Sequence, residues 1–166
     1  MGRKIAIIAD SHDHLNNLQK AVKIIKKEKV DRIIHLGDFV APFTLPILKS
    51  VGIPLIGVFG NNDGEKRGLL KGVSGWGEIH QPPFSCEIEG RAILLSHSFL
   101  KVERVQKQKP ETEFLFYGHT HIPTDEMQGK IRFINPGELC GYLYKKATFG
   151  IIDLPSGNYC IIELSK

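Results

Sequence analysis

The chain has 166 residues, enough for one domain with a sizeable core, and is 42% hydrophobic and 24% charged, proportions that exclude a disordered, collagenous or coiled-coil protein. Its 22 basic and 18 acidic side chains leave a net charge of +4, which suits anionic substrates without demanding nucleic acid. No apolar run approaches the roughly 20 residues that span a bilayer, and Cys86, Cys140 and Cys160 form no Cys-x-x-Cys pair, so neither a disulfide framework nor a thiolate zinc site is expected.

Met-Gly-Arg-Lys leads directly into an isoleucine-rich run, residues 4–9, followed by Asp10. The run is too short for a signal peptide, so a cytoplasmic protein is expected. The same run reads as a buried strand. Residues 15–29 read as an amphipathic helix with Leu15, Leu18, Val22 and Ile25 on one stripe and Asp13 as its N-cap. Lys20, Lys23, Lys26, Lys27 and Lys29 read as its solvated face. A strand at 32–36 ends at Gly37-Asp38, a short helix at 43–50 takes Pro46 in its first turn, and a strand at 54–59 ends at Gly60-Asn61-Asn62-Asp63. Strand, helix, strand, helix, strand implies parallel pairing through right-handed crossovers.

Residues 66–83, rich in Gly and Pro, read as a short helix and then loop. A hairpin over 84–96 turns at Gly90, a basic helix at 99–109 stops at Pro110, and a strand at 113–117 ends at Gly118-His119. Strands near 131–134, 147–153 and 159–164 follow, with turns at 128–130, 135–137 and 155–158. The whole reads as one α/β domain, residues 1–166, richer in hairpins towards its end.

Five of these strands run into loops that open with metal-capable side chains: Asp10 and His12, Asp38, Asn61, His97, and His119 with His121. Open α/β sheets place their sites beyond the carboxyl ends of strands, so strands sharing one sheet in register would bring all seven groups to one edge. His35, mid-strand, and His80, in a loop, read as packing or surface residues. His14 is open between a site neighbour and a helix start.

Asp10-Ser11-His12, Gly37-Asp38, Gly60-Asn61-Asn62-Asp63, Ser96-His97 and Gly118-His119-Thr120-His121 resemble the motif series of the calcineurin-like metallophosphoesterases. The length and the Ile134-Asn135-Pro136-Gly137 tail resemble the small single-domain archaeal and bacterial phosphodiesterases among them. The resemblance implies a four-layer αββα sandwich of two mixed sheets flanked by helices, with a two-metal site between the sheet edges. By motif position, Asp10, His12, Asp38 and His121 would hold one metal, and Asp38, Asn61, His97 and His119 the other. Mixed imidazole and oxygen donors suit manganese first, with nickel, iron, cobalt or zinc as alternatives. The implied activity is phosphodiester hydrolysis by a metal-bridging hydroxide, with Asp38, Asn61, Asn62 and His97 as the catalytic positions, a small phosphodiester as substrate, and a homodimer as an oligomeric possibility.

Two departures from the motif series bear on chemistry. Superfamily phosphatases commonly carry Gly-Asn-His where this chain has Asn62, which cannot act as a general acid near neutral pH, so substrates with good leaving groups are expected. Relatives often continue His97 as His-Gly-His, where this chain has Ser98 and Phe99. Asp63 is expected to be structural, while Glu138 and Cys140 are open as pocket residues. Three other readings make different demands on the sequence. A non-catalytic scaffold, like the membrane-coat branch of the superfamily, would have eroded ligands. A nuclease would want a basic stripe and stacking aromatics. A flavodoxin-like binder would need another site, and no Gly-x-Gly-x-x-Gly or P-loop is present.

Overall fold

The computed structural model describes residues 4–165; the amino-terminal Met-Gly-Arg of the signal-peptide expectation lies outside them. The element order begins β1 (Lys4–Ile8), α1 (Leu15–Lys27), β2 (Arg32–His35), a 3-10 turn (Pro42–Thr44), α2 (Leu45–Lys49), β3 (Leu55–Val58), α3 (Lys66–Val73) and β4 (Gly77–His80). It continues β5 (Phe84–Ile88), β6 (Arg91–Leu95), α4 (Val102–Gln108), β7 (Phe114–Phe116), β8 (Thr124–Gln128), β9 (Ile131–Asn135), β10 (Thr148–Asp153) and β11 (Asn158–Glu163).

The strands form two mixed sheets. The first has the order β11-β10-β1-β2-β3-β4, with β1 to β4 parallel, and the second β5-β6-β7-β9-β8. Strand alternation sorts the core into layers. From β1, Ala6 and Ile8 join Leu18, Val22 and Ile25 of α1, Leu48 of α2 and Leu69 of α3 on one face. Ile5 and Ile7 turn the other way, onto Ile93, Leu95, Phe114 and Phe116 of the second sheet. That sheet's outer face, through Leu94, Leu115 and Phe133, packs on Val105 of α4. Helices, sheet, sheet, helix is the expected four-layer sandwich.

Three expectations need correction. The condition that the site's strands share one sheet does not hold: β1, β2 and β3 belong to the first sheet and β6 and β7 to the second, so the carboxyl edges of two packed sheets supply the site, the placement that the family resemblance implies. Residues 77–80 are a strand, β4, and not loop, and β8 was not anticipated. Asp13 does not cap α1; His14 does, its Nδ1 accepting from Asn17 N at 3.2 Å. The Asp13 carboxylate instead accepts from Ala41 N at 3.0 Å, tying the first loop to the second.

Candidate metal centre

The loops after the strands interlock through their backbones before any side chain is considered. Asp10 N donates to Gly37 O, His12 N to Asp38 O, and Gly118 N to His97 O. The approach is so close that a Cβ on Gly60 would lie 2.1 Å from Asp38 Oδ1, and one on Gly37, where φ is +96°, would lie 2.6 Å from Gly60 N. Only glycine fits at these two positions. Asp10, His12, Asp38, His119 and His121 all adopt positive φ, a left-handed conformation that costs energy for such residues and clusters at functional sites.

All seven candidate donors meet at this edge. His12 Nε2 lies 3.4 Å from Asp38 Oδ2 and 3.9 Å from Asp10 Oδ1, and His121 Nε2 lies 3.5 Å from Asp10 Oδ1. On the other side of Asp38, His97 Nε2 lies 3.5 Å from the same Oδ2, 2.8 Å from Asn61 Oδ1 and 3.2 Å from His119 Nδ1. Asp38 is therefore shared between two clusters.

Four of the donors are held by hydrogen bonds of their own. His97 Nδ1 donates to Leu36 O at 2.8 Å, and His121 Nδ1 to Glu138 Oε2 at 2.8 Å, so both rings present a bare Nε2 to the centre. Asp10 Oδ2 accepts from His119 N at 2.9 Å. Both Asp38 oxygens accept from Asn62, Oδ1 from its backbone N and Oδ2 from its Nδ2, each at 2.8 Å. Other atoms facing the centre have no such satisfaction. Asp10 Oδ1 and His12 Nε2 are buried without a hydrogen-bond partner, and the bare His97 Nε2 faces the Asn61 carbonyl oxygen, acceptor against acceptor. Buried acceptors rarely go unpaired, and several converging on one point fit a cation.

Electrostatics agree. Burial raises the Asp10 carboxyl to about 7, more than the nearby His121 and the His119 N–H pull it back. Burial lowers His12 and His97 below the usual histidine value, keeping them neutral. Asp10, His12 and Asp38 have ligand atoms within 4.8 Å of one another, as do His12, His121 and Cys140. In the second group, burial pushes the Cys140 thiol up to about 12. It stays protonated and points at Glu138 Oε2, 3.2 Å away.

The supporting residues sort as follows. Asp63 accepts from Asp38 N, Val40 N and Gly60 N at 2.7–3.0 Å, clamping two ligand loops as expected of a structural carboxylate. His35 is fully buried, its Nδ1 accepting from Gly37 N and its Nε2 near Ser11 Oγ at 2.9 Å, with its ring stacked on Phe39. His80 stacks on Phe84 beside Glu78. Both are packing residues, as their positions suggested. His14 caps α1 and lies against Tyr142, ring centroids 5.4 Å apart. Phe99 turns away from the centre onto Tyr117 and Phe133. Burial raises the pKa of Glu138, but hydrogen bonds from Tyr144 N, His121, Leu143 N and Cys140 outweigh that and hold it below the usual value. It orients His121 and organises the 141–144 loop, a role marked in sequence only by its place after the Asn-Pro-Gly turn.

Two packed mixed sheets with imidazole, carboxylate and amide donors at their shared edge define a metallophosphoesterase, and residues 4–157 match the calcineurin-like phosphoesterase superfamily domain. The chain belongs to that superfamily, which implies divalent metal ions. It is 35% identical over 97% of its length, and 99% of the relative's, to phosphodiesterase MJ0936 of Methanocaldococcus jannaschii. It is 25% identical to phosphodiesterase YfcE of Escherichia coli over 82% of this chain and 79% of that one. Among solved structures, an archaeal phosphodiesterase superposes with a TM-score of 0.89 at 34% identity, covering 97% of this chain and 99% of the other. The Vps29 structure from Entamoeba histolytica, at 16% identity, TM-score 0.71, and 98% and 99% coverage, shares the fold. Among the described residues, no helix is long and apolar enough to cross a membrane.

Proposed function

We propose that the chain is a dinuclear-metal phosphodiesterase acting on small phosphodiesters. Asp10, His12, Asp38 and His121 would hold one divalent cation, and Asp38, Asn61, His97 and His119 the other, with manganese the first choice. The observation that carries the reading is the pair of buried acceptors without a partner, Asp10 Oδ1 and His12 Nε2, on one side of the shared Asp38 carboxylate, with His97 Nε2 and Asn61 Oδ1 converging on its other side. Bound cations would supply charge to attract an anionic ester and to acidify a water at neutral pH.

The rest of the chemistry falls to the chain. Two carboxylates against five neutral donors keep the ligand set at −2, so two divalent ions leave a surplus of positive charge for phosphate. Asn62 holds the Asp38 carboxylate plane through two hydrogen bonds. It has no acidic proton to give a departing alkoxide, so esters with aryl-type leaving groups are favoured. Asn61 is exposed beside buried His97 and lies on the side from which substrate enters. The preference for diesters draws on the named relatives, both phosphodiesterases.

The test is hydrolysis of bis-p-nitrophenyl phosphate by manganese-loaded protein. Activity is expected, and Asp38→Asn should lower kcat by about a hundredfold or more, since both clusters share that residue. A folded, metal-replete sample inert towards every phosphoester, aryl esters included, overturns the reading and favours a scaffold.

A further inference from the structure

A cavity of about 350 Å3 opens beside the Asn61–His97 half of the centre and is lined in part by both residues. Two cations enter it from different layers of the fold: Lys66, the first residue of α3, and Arg104, on α4. No acidic side chain lines the cavity. Lys66 Nζ sits 5.2 Å from the centroid of the Phe59 ring, and Arg104 Nε reaches only Gln108 Oε1, at 3.4 Å. Among the described residues, neither cation has a carboxylate partner. Lys23 and Lys26 also face a cavity without an acidic residue, but that cavity lies away from the centre, whereas the Lys66–Arg104 cavity shares Asn61 and His97 with it.

Two like charges aimed into one hollow repel each other unless an anion joins them, and a hollow walled by apolar groups strengthens their field. Phe59 and Leu100 form such walls here. The volume is at the small end of ligand pockets, the size of one organic arm. We propose that this cavity is an anion subsite. The substrate is a small phosphodiester, one of whose ester arms ends in a second anionic group, a phosphate or a carboxylate. Lys66 and Arg104 hold that group while the scissile phosphate lies at Asn61 and His97. This rests on the phosphodiesterase reading of the centre. A nucleic acid strand also carries a second phosphate, but it calls for a track of cations and stacking rings along its path, whereas this hollow offers one cation pair.

The experiment compares three p-nitrophenyl phosphodiesters whose second arm is propyl, propyl ending in phosphate, or propyl ending in carboxylate, with manganese-loaded protein. The charged arms should raise kcat/KM by about tenfold or more, mostly through KM, and the better of the two identifies the anion. The double variant Lys66→Gln/Arg104→Gln should bring the ratio close to one, while Lys66→Arg/Arg104→Lys, which keeps both charges, should retain most of it. A second measurement needs no turnover: phenyl phosphate titrated into metal-free protein should shift the side-chain NMR signals of Lys66 and Arg104, and the glutamine variant should bind it several-fold more weakly. Equal rates on all three esters, unaltered in the variants, overturn the subsite and leave the phosphodiesterase reading standing. Phenyl phosphate binding without hydrolysis of any ester supports the subsite and overturns the phosphodiesterase reading. Rates that keep climbing with oligonucleotide length beyond one added phosphate overturn the small-substrate proposal in favour of a polymer.

Discussion

Asp10 carries the most perturbed carboxyl at the centre, raised by burial to about 7, and metal binding must displace its proton. His12 and His97 are lowered by burial and already neutral there, so they do not limit binding. The sign follows: metal affinity rises with pH while Asp10 is still protonated and levels off above about 7. Kd for manganese, measured by calorimetry, should improve about tenfold per pH unit below that point. Asp10→Asn should bind more weakly and lose the slope; a slope continuing unchanged well above pH 7 would assign the proton elsewhere. Asn62 carries a separate expectation. Asn62→His sacrifices the amide bond to Asp38 Oδ2 but brings a general acid, a group worth about a hundredfold or more where it is well placed. The ratio of alkyl to aryl monoester hydrolysis should rise by about tenfold, and an unchanged ratio counts against leaving-group protonation as the missing function.

At the scale of elements, the Asp63 carboxylate joins the loop after β2 to the loop after β3 through three backbone N–H groups. It also secures Val40, whose φ of 78° is unfavourable for a β-branched residue. Asp63→Ala would leave one buried and two part-buried donors without their acceptor, a loss of about 3 kcal/mol. For a domain of this size that lowers Tm by roughly 6–12 °C, with weaker metal uptake, readable by calorimetry on apo and metal-loaded samples. The ligand loops were legible because each begins where a buried, apolar strand stops, and β1, β2 and β3 are buried along nearly their whole length. β4 and β8 were not legible. Both are edge strands: in β4 only Ile79 is fully buried, and β8, Thr-Asp-Glu-Met-Gln, exposes its middle residues. Their extended form comes from pairing with β3 and β9 and not from any pattern of their own. His14 as cap and Glu138 as partner of His121 were equally hidden, since both roles depend on loops meeting in space.

On the scale of the whole molecule, the centre stands at one edge of the interface between the two sheets. Asp10, His12, Asp38 and Asn61 follow strands of the first sheet, and His97, His119 and His121 follow strands of the second. The apolar layer between the sheets, from Ile5 and Ile7 to Phe114 and Phe116, is continuous without any ion, so the apoprotein is expected to fold. A cation shared by donors from both sheets would instead act as a clamp at one edge. Metal at about 100 times its Kd adds roughly 2.7 kcal/mol to the folded state, about 5–11 °C in Tm for a chain of this size. Chelation should therefore lower Tm by that amount, with Asp38→Asn nearly insensitive because its clusters no longer share a carboxylate. The decisive reading is where hydrogen exchange accelerates after chelation. If the clamp spans the interface, amides near Asp10 and Asp38 lose protection together with those near His97 and His119. Loss confined to the loops of one sheet would mean that the metals bind one sheet's donors alone, and the two-sheet centre would have to be abandoned.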